Sequence, residues 1–410
     1  MSDQFYDVAV VGAGAAGLLA AIHAAERGRR TLLLEKNRQP GVKILMSGGT
    51  RCNITHATDN RGIVDAYGPP GKFLHSALAA LSVSDTVALF EAEGVATKVE
   101  DTGKVFPVSN KASEVLAALL RRLHRSGTTL ALGEPLRELR LAEAVFALVT
   151  PQRTIGAEHV VLTVGGQSYP GSGTTGDGYA IATQFGHTIV APRPALTPIT
   201  VAAPWVPPLR GITLPDVGVR VVEGDRELAR RRGSLLFAHF GLSGPVALDV
   251  SRAVSRHPQP EKLHLEIDLM PTVADAELDE FLRQESLASG RRLLAVVLGE
   301  RLPRRLSETV LVLARLPADR KAAALSRPER VRLVEAVKRL RSPVTGTLGF
   351  AKAEVTAGGV ALAEVDSRTM QSKKQSGLFI AGELLDLDGP IGGYNFQAAF
   401  STGWLAGGHA

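Results

Sequence analysis

Apolar and polar positions follow several rhythms along the chain. The apolar run Asp7–Val11 passes into glycines, then into a helix-spaced stretch, Ala15–Arg27, and a second strand, Thr31–Glu35. That order predicts a β-α-β opening. Residues 40–56, small and polar, read as a loop. Helical spacing predicts helices over about 72–93 and 112–126, strands at Thr129–Leu132 and Glu158–Val164, and a helix ending near Phe185. From Pro192 to about residue 268 the pattern shortens into alternating segments broken by Pro and Gly, as in a small β-domain. Residues 272–341 return to helical spacing, rich in Leu, Ala, Arg and Glu. After Pro343 short strands reappear, ending in Leu378–Ala381 and a helix from Asn395 to about Leu405. The first and last segments read as one α/β domain interrupted by an insert.

Composition sharpens this picture in three ways. A chain of 410 residues exceeds one ordinary core and predicts two or three domains. The run Val8–Ile22 is apolar enough to resemble a signal sequence. It is glycine-punctuated and has no Lys or Arg before it, so a strand-turn-helix accounts for it better. The expectation is a cytoplasmic protein with no membrane segment. The lone Cys52 excludes an internal disulfide and a CxxC relay. The net charge of +6 is uneven: residues 283–341 hold 15 Lys/Arg against 6 Asp/Glu. Such a run is usually a solvated helix face. No aromatics interleave it for base stacking, which disfavours nucleic acid as a partner without removing it.

The glycine pattern carries the candidate chemistry. In Gly12-Ala13-Gly14-Ala15-Ala16-Gly17, Gly12 permits a tight turn, Gly14 lets a pyrophosphate approach the backbone, and Gly17 allows close helix packing. The helix N-terminus, at Ala15 and Ala16, faces the phosphates. Glu35 lies 21 residues after Gly14, where a carboxylate accepts ribose hydroxyls, with Lys36 beside it. An acid there disfavours a 2′-phosphate. Lys43, Gly49, Arg51 and Asn53 suit an anionic ligand threaded past the backbone. Pro135 is a candidate for an adenine contact, and Gly165 follows the strand that ends near Val164. At the other end, Glu383 follows the strand Leu378–Ala381, and Gly392, Gly393 and Asn395 open the last helix. A helix N-terminus there would stabilise the negative charge of a reduced flavin. The two ends together predict one non-covalently held FAD. No second complete GxGxxG unit exists, so NAD(P)H, if used, docks transiently; O2 is the other candidate redox partner.

Five segments resemble one known family: Gly12–Gly17, Lys43–Asn53, Phe237–Pro245, Ala353–Val360 and Gly392–Gln397. The chain resembles the aminoacetone-oxidase-like and bile-acid-reductase-like NAD(P)/FAD-dependent oxidoreductases over nearly its whole length. Val164-Gly165-Gly166 and Thr175–Gly178 are more distantly similar to fumarate-reductase-type flavoproteins. The resemblance implies an FAD/NAD(P)-binding Rossmann-type domain of the glutathione-reductase-like kind, split by a β-barrel and a small helical insert. The expected boundaries are 1–190 with 343–410, 191–270 for the barrel and 271–342 for the helices. The chain departs from the family at Thr50, in place of a glycine, at Ala238, in place of a hydroxyl residue, and at Val164, in place of Thr. A β-branched residue such as Thr50 resists positive φ.

The expected reaction is hydride transfer between a small organic substrate, an amine or an oxo or enoyl compound, and flavin N5. Substrate is expected to enter a cleft between the FAD domain and the insert. His239 is the candidate acid or base, with Tyr169 as a second proton donor. Cys52 and His56 raise covalent flavin attachment, which a complete non-covalent cradle makes unnecessary. No Cys/His cluster, HExxH or acidic set at metal spacing is present, so no metal is expected. Two alternatives stay open: an RNA-modifying flavoenzyme gripping RNA through Arg291, Arg292, Arg304 and Arg305, and a non-catalytic flavin-bound regulator.

Overall fold

Strand β1 (Gln4–Val11) is the centre of a parallel array. It pairs with β2 (Thr31–Glu35) in the register Val8↔Thr31 to Val11↔Leu34, and on its other side with Thr154–Leu162. The computed structural model describes residues 4–288, 291–323 and 325–410. Beyond β2 lies Thr129–Leu132, and Leu378–Ile380 pairs with the C-terminal half of Thr154–Leu162, both in parallel. The hairpin Glu138–Ala142/Val145–Val149 completes this seven-stranded sheet in antiparallel fashion. Every position of β2 is buried, as expected of a parallel strand covered on both faces. Helix α1 (Ala15–Glu26) buries Leu18, Leu19 and Ile22. The C-terminal helix Tyr394–His409 packs on it so closely that a Cβ at Gly403 or Gly407 would lie 2.1 or 2.2 Å from the carbonyl oxygens of Ala16 and Ala20.

The chain forms two units, Met1–Pro194 with Glu354–Ala410, and Ala195–Ala353. The second contains a closed six-stranded barrel in the order Ile199–Val201, Gly241–Ser243, Arg226–Ala238, Thr213–Glu223, His264–Asp268 and Leu340–Thr347. Val217, Val219 and Val221 point inward on alternate positions, as a barrel strand requires. Four helices, Asp275–Ala288, Leu294–Gly299, Arg304–Leu313 and Arg327–Lys338, add Leu278, Leu298, Leu306 and Val337 to the same hydrophobic core. Lys338 is buried there, donating to the carbonyls of Met270 (2.8 Å) and Val273 (2.7 Å) and pairing with Asp268 at 2.7 Å. A buried ammonium is tolerated only with such partners.

Several local expectations change. The boundary expected at 343 falls inside the barrel strand Leu340–Thr347, because that strand closes the barrel between His264–Asp268 and Ile199–Val201. The segment 40–56 is not all loop. It contains α2 (Val42–Thr50), whose last turn breaks at Ser47 (ψ 151°) and turns left-handed at Gly48 and Gly49. The helix expected over 72–93 is divided, because Ser82 and Asp85 form a capping box that starts a new helix at Val83.

Candidate nucleotide site

The β1–α1 turn builds one end of the site. Gly12 has φ 101°, and a Cβ there would lie 2.8 Å from the Thr163 carbonyl oxygen. A Cβ on Gly17 would come within 1.8 Å of the Gly12 carbonyl oxygen. Nothing lies within 4 Å of the corresponding point on Gly14, so that backbone face is open. The first-turn N–H groups of α1, at Ala15 and Ala16, have no intrahelical carbonyl to meet. Glu35, at the end of β2 and buried, accepts from Ala13 N through one oxygen and from Asn37 N through the other, both at 2.8 Å. Glu134 N donates to the Glu35 carbonyl at 3.0 Å, which brings Pro135, half-buried, beside the same strand end.

A second group of residues links distant parts of the chain. Lys43 Nζ pairs with Glu383 at 2.6 Å, and the other Glu383 oxygen accepts from Thr356 N at 3.0 Å. Thr356 Oγ1 accepts from Gln167 N (2.8 Å) and Ser168 N (3.0 Å), fixing the loop after Gly165. Gly165 has φ 74°. Asn53 is buried, and its Oδ1 meets no hydrogen-bond donor among the described residues. A buried, unpaired amide oxygen is costly and marks a place for a further donor. Gly49 (φ 66°) has open space at its Cβ position. Thr50 takes the left-handed conformation despite its branched side chain, with φ 71°.

The N-terminus of the C-terminal helix forms the other end. Gly393 (φ 97°) caps it, and a Cβ there would lie 2.4 Å from the Thr55 carbonyl. His56 Nδ1 sits 3.0 Å from the Gly392 carbonyl, and its ring stacks on Tyr394 with centroids 4.5 Å apart. Gln397 binds the segment from below: its Oε1 accepts from Thr55 Oγ1 at 2.6 Å, and its Nε2 donates to Thr86 Oγ1 at 2.9 Å. Asn395 behaves differently from expectation. Its side chain accepts from Gly389 N (2.8 Å) and donates to the Gly389 and Pro390 carbonyls (3.1 and 3.2 Å). It shapes the approach to the helix and leaves the backbone N–H groups facing outward.

Other expected residues are placed elsewhere. Arg51 pairs with Glu100 at 2.6 Å and lies over the Phe106 ring at 4.0 Å. Lys36 donates to Thr175 Oγ1 at 2.7 Å and pairs with Asp177. Tyr169 is half-buried at φ 55°, and its carbonyl accepts from Ser172 N at 2.8 Å. His239 is exposed in the turn between the Arg226–Ala238 and Gly241–Ser243 strands. Burial pushes the Cys52 thiol up to about 12, so it stays protonated and is a poor nucleophile for flavin attachment. Three contributors escaped the sequence reading: Thr356, His56 as a brace for Gly392, and Gln397. The first and last lie inside segments singled out as motifs, and His56 was weighed only for covalent attachment.

About half of the cations of the basic segment are paired with carboxylates. Arg292 meets Glu285 (3.3 Å) and Glu300, Arg304 meets Glu308 at 2.9 Å, and Arg305 donates to the carbonyls of Pro208 and Arg210. Arg291 is exposed and meets no carboxylate among the described residues. Among the described residues, no group of three His, Cys, Asp or Glu side chains is arranged to hold a metal ion, and no single helix is long and apolar enough to cross a membrane.

A family model described as the HI0933-like protein Rossmann domain matches residues 6–409. The chain belongs to this family. It is 34% identical over 402 residues to the ribosomal RNA dihydrouridine synthase of Escherichia coli (strain K12), covering 97% of this chain and 96% of that protein. It is 29% identical to the 3-dehydro-bile acid delta(4,6)-reductase of Clostridium scindens, covering 98% of each. Among solved structures it is similar to the 3-ketosteroid delta1-dehydrogenase of Sterolibacterium denitrificans, with TM-score 0.53, 13% identity and 99% of each chain covered. That likeness establishes the shared Rossmann-type α/β fold.

Proposed function

We propose that this protein is an FAD-dependent oxidoreductase that saturates a carbon–carbon double bond conjugated to a carbonyl, with a uracil ring of ribosomal RNA as its substrate class. The observation that carries the cofactor assignment is the presence of two open helix N-termini in one unit, on helices that pack side by side. One is the open Gly14 turn beside the Glu35 carboxylate, the other the Gly393 cap beside the unpartnered Asn53 oxygen. A dinucleotide fits this arrangement. Ala15 and Ala16 would receive the pyrophosphate, Glu35 would accept ribose hydroxyls through its remaining lone pairs, and the Gly393-capped helix would face the ring. Lys43 and Glu383 would hold the segments between. Bound and reduced, FAD would supply the hydride from N5; a reduction needs a two-electron donor, and in this reading NAD(P)H is that donor.

The two relatives support the substrate class. A dihydrouridine synthase adds hydride and proton across the ring double bond of uridine, which is conjugated to a carbonyl. A delta(4,6)-reductase acts on double bonds of a 3-oxo compound in the same sense. The higher identity of the first favours uridine.

The test is anaerobic reduction of the purified yellow protein with NADH or NADPH, followed by ribosomal RNA or a 3-oxo-4,6-diene steroid. Nucleoside mass spectrometry should reveal uridine that has gained two hydrogens. Protein that stays colourless with excess FAD, or flavin that neither nucleotide reduces, would overturn the cofactor reading. Reduction of the steroid alone would overturn the uridine reading.

A further inference from the structure

We propose that the arginines around the turn between helices Leu294–Gly299 and Arg304–Leu313 form a docking surface for the phosphate backbone of the RNA substrate. The inference rests on the uridine reading above. Eight of the 15 Lys/Arg in residues 283–341 are matched by a carboxylate: Arg283 and Arg292 early in the segment, Arg304 in the middle, and five more from Arg320 onward. Those charges are cancelled locally. Around the turn the situation differs. Arg301 and Arg305 are exposed, lie within five residues of each other, and meet no carboxylate among the described residues.

The nearby acids are already engaged, Glu300 by Arg292 and Glu308 by Arg304. Arg305 is nonetheless held, because its guanidinium donates to the carbonyls of Pro208 (3.0 Å) and Arg210 (3.4 Å). This contact brings in the segment that carries Arg210, which is also exposed and meets no carboxylate among the described residues. Arg301 is held over the Phe281 ring at 4.4 Å. Carbonyl oxygens and an aromatic face orient a guanidinium without neutralising it. The result is two oriented guanidiniums with the exposed Arg210 beside them, three cations from two parts of one unit that meet no carboxylate among the described residues.

A single flexible lysine patch would be solvated and mobile. Pre-positioned guanidiniums instead suit phosphate oxygens, which they meet in a planar, two-pronged geometry. An RNA chain brings many such oxygens, and each contact releases counterions. Contacts of this kind supply grip and position and do not read bases.

The test compares R210Q/R301Q/R305Q with a control, R230Q/R232Q/R283Q, which removes three arginines paired to Glu227, Asp216 and Glu280. Both remove the same formal charge. Binding to a ribosomal RNA fragment is followed by fluorescence anisotropy across a salt series. Three lost phosphate contacts should flatten the slope of log K against log salt by about 2 and weaken binding about a hundredfold near 0.1 M salt. The control should stay within a few-fold of wild type. R210Q/R301Q, which keeps the ties of Arg305 to the barrel, should lose about 25-fold by the same arithmetic. FAD content and reduction by NAD(P)H should be unchanged in all three. Wild-type RNA binding with an unaltered slope in the test variant, or an equal loss in the control, overturns the surface and leaves the uridine reading standing. Wild type that binds no RNA at low salt overturns both.

Discussion

Thr50 offers a stringent test of the backbone reasoning. It sits at φ 71° between Gly49 and the equally left-handed Cys52 (φ 61°). Holding an L-residue in this region costs about 1–2 kcal/mol, toward the upper end for a branched side chain. Against that, Thr50 Oγ1 donates to the Gly49 carbonyl at 2.6 Å. At this exposed position the bond contributes about 0.5 kcal/mol. Replacing Thr50 with glycine removes the strain, forfeits the bond, and adds unfolded-state freedom of about 0.4–1 kcal/mol. With the strain near the upper end, the sum is a stabilisation of about 0.5–1 kcal/mol. Thr50→Ala keeps a Cβ in the left-handed region and loses the bond, so it should destabilise by about 0.5 kcal/mol. The gap between the two variants, about 1–1.5 kcal/mol, corresponds to about 2–6 °C in melting temperature for a unit of this size. Scanning calorimetry of wild type, T50G and T50A reads it directly, and T50N should fall between the two because asparagine tolerates this region. Melting temperatures in which alanine equals or exceeds glycine would refute the assignment of strain at this position.

Four further outcomes follow from the geometry. Gly17→Ala should destabilise by about 2–4 kcal/mol or give insoluble protein, since its Cβ would lie 1.8 Å from a carbonyl oxygen. Gly14→Ala should melt within about 1 kcal/mol of wild type yet retain less FAD, measured as flavin per protein after dialysis; normal retention would count against the pyrophosphate assignment. A double-mutant cycle on Lys43→Met and Glu383→Gln should give a coupling of about 1–2 kcal/mol, between the values for exposed and buried pairs, because both side chains are about a quarter exposed. Burial holds the His187 imidazole below its ordinary pKa, with Glu364 opposing. The unfolded chain therefore binds the proton first, and stability conferred by neutral His187 is present above pH about 6.5 and is lost as pH falls below it. His187→Gln should flatten the pH dependence of the melting temperature between about pH 7.5 and 5.5; an unchanged profile would refute the attribution.

The local parts of the fold were legible in the sequence. The β1–α1–β2 order could be read because its signals, an apolar run, three glycines and a helical stripe, lie within about 30 residues, as a β-α-β unit requires. The capping box at Ser82 and Asp85 was also written in the chain, and overlooking it merged two helices. Barrel closure by Leu340–Thr347 was not legible, because strand pairing across more than a hundred residues leaves no periodic trace. The Lys43–Glu383 pair is hidden for the same reason. Arg51 and Asn395 looked like ligand-facing residues by type, yet one is engaged by Glu100 and the other by the carbonyls of Gly389 and Pro390. Residue identity cannot reveal which of two competing partners a side chain meets. Thr356 escaped for the opposite reason: its partners are backbone N–H groups, which no sequence motif displays.

The packing of Tyr394–His409 against α1 has a consequence for biosynthesis. The groove over Ala16 and Ala20 stays empty while the whole Ala195–Ala353 unit is being translated, and is filled only when the late helix leaves the ribosome. A nascent or prematurely stopped chain would therefore present bare apolar surface to chaperones and proteases, however well its barrel had matured. Loss of the sixteen residues Tyr394–His409 would remove a wall of the first core and would read in the cell as a degradation signal.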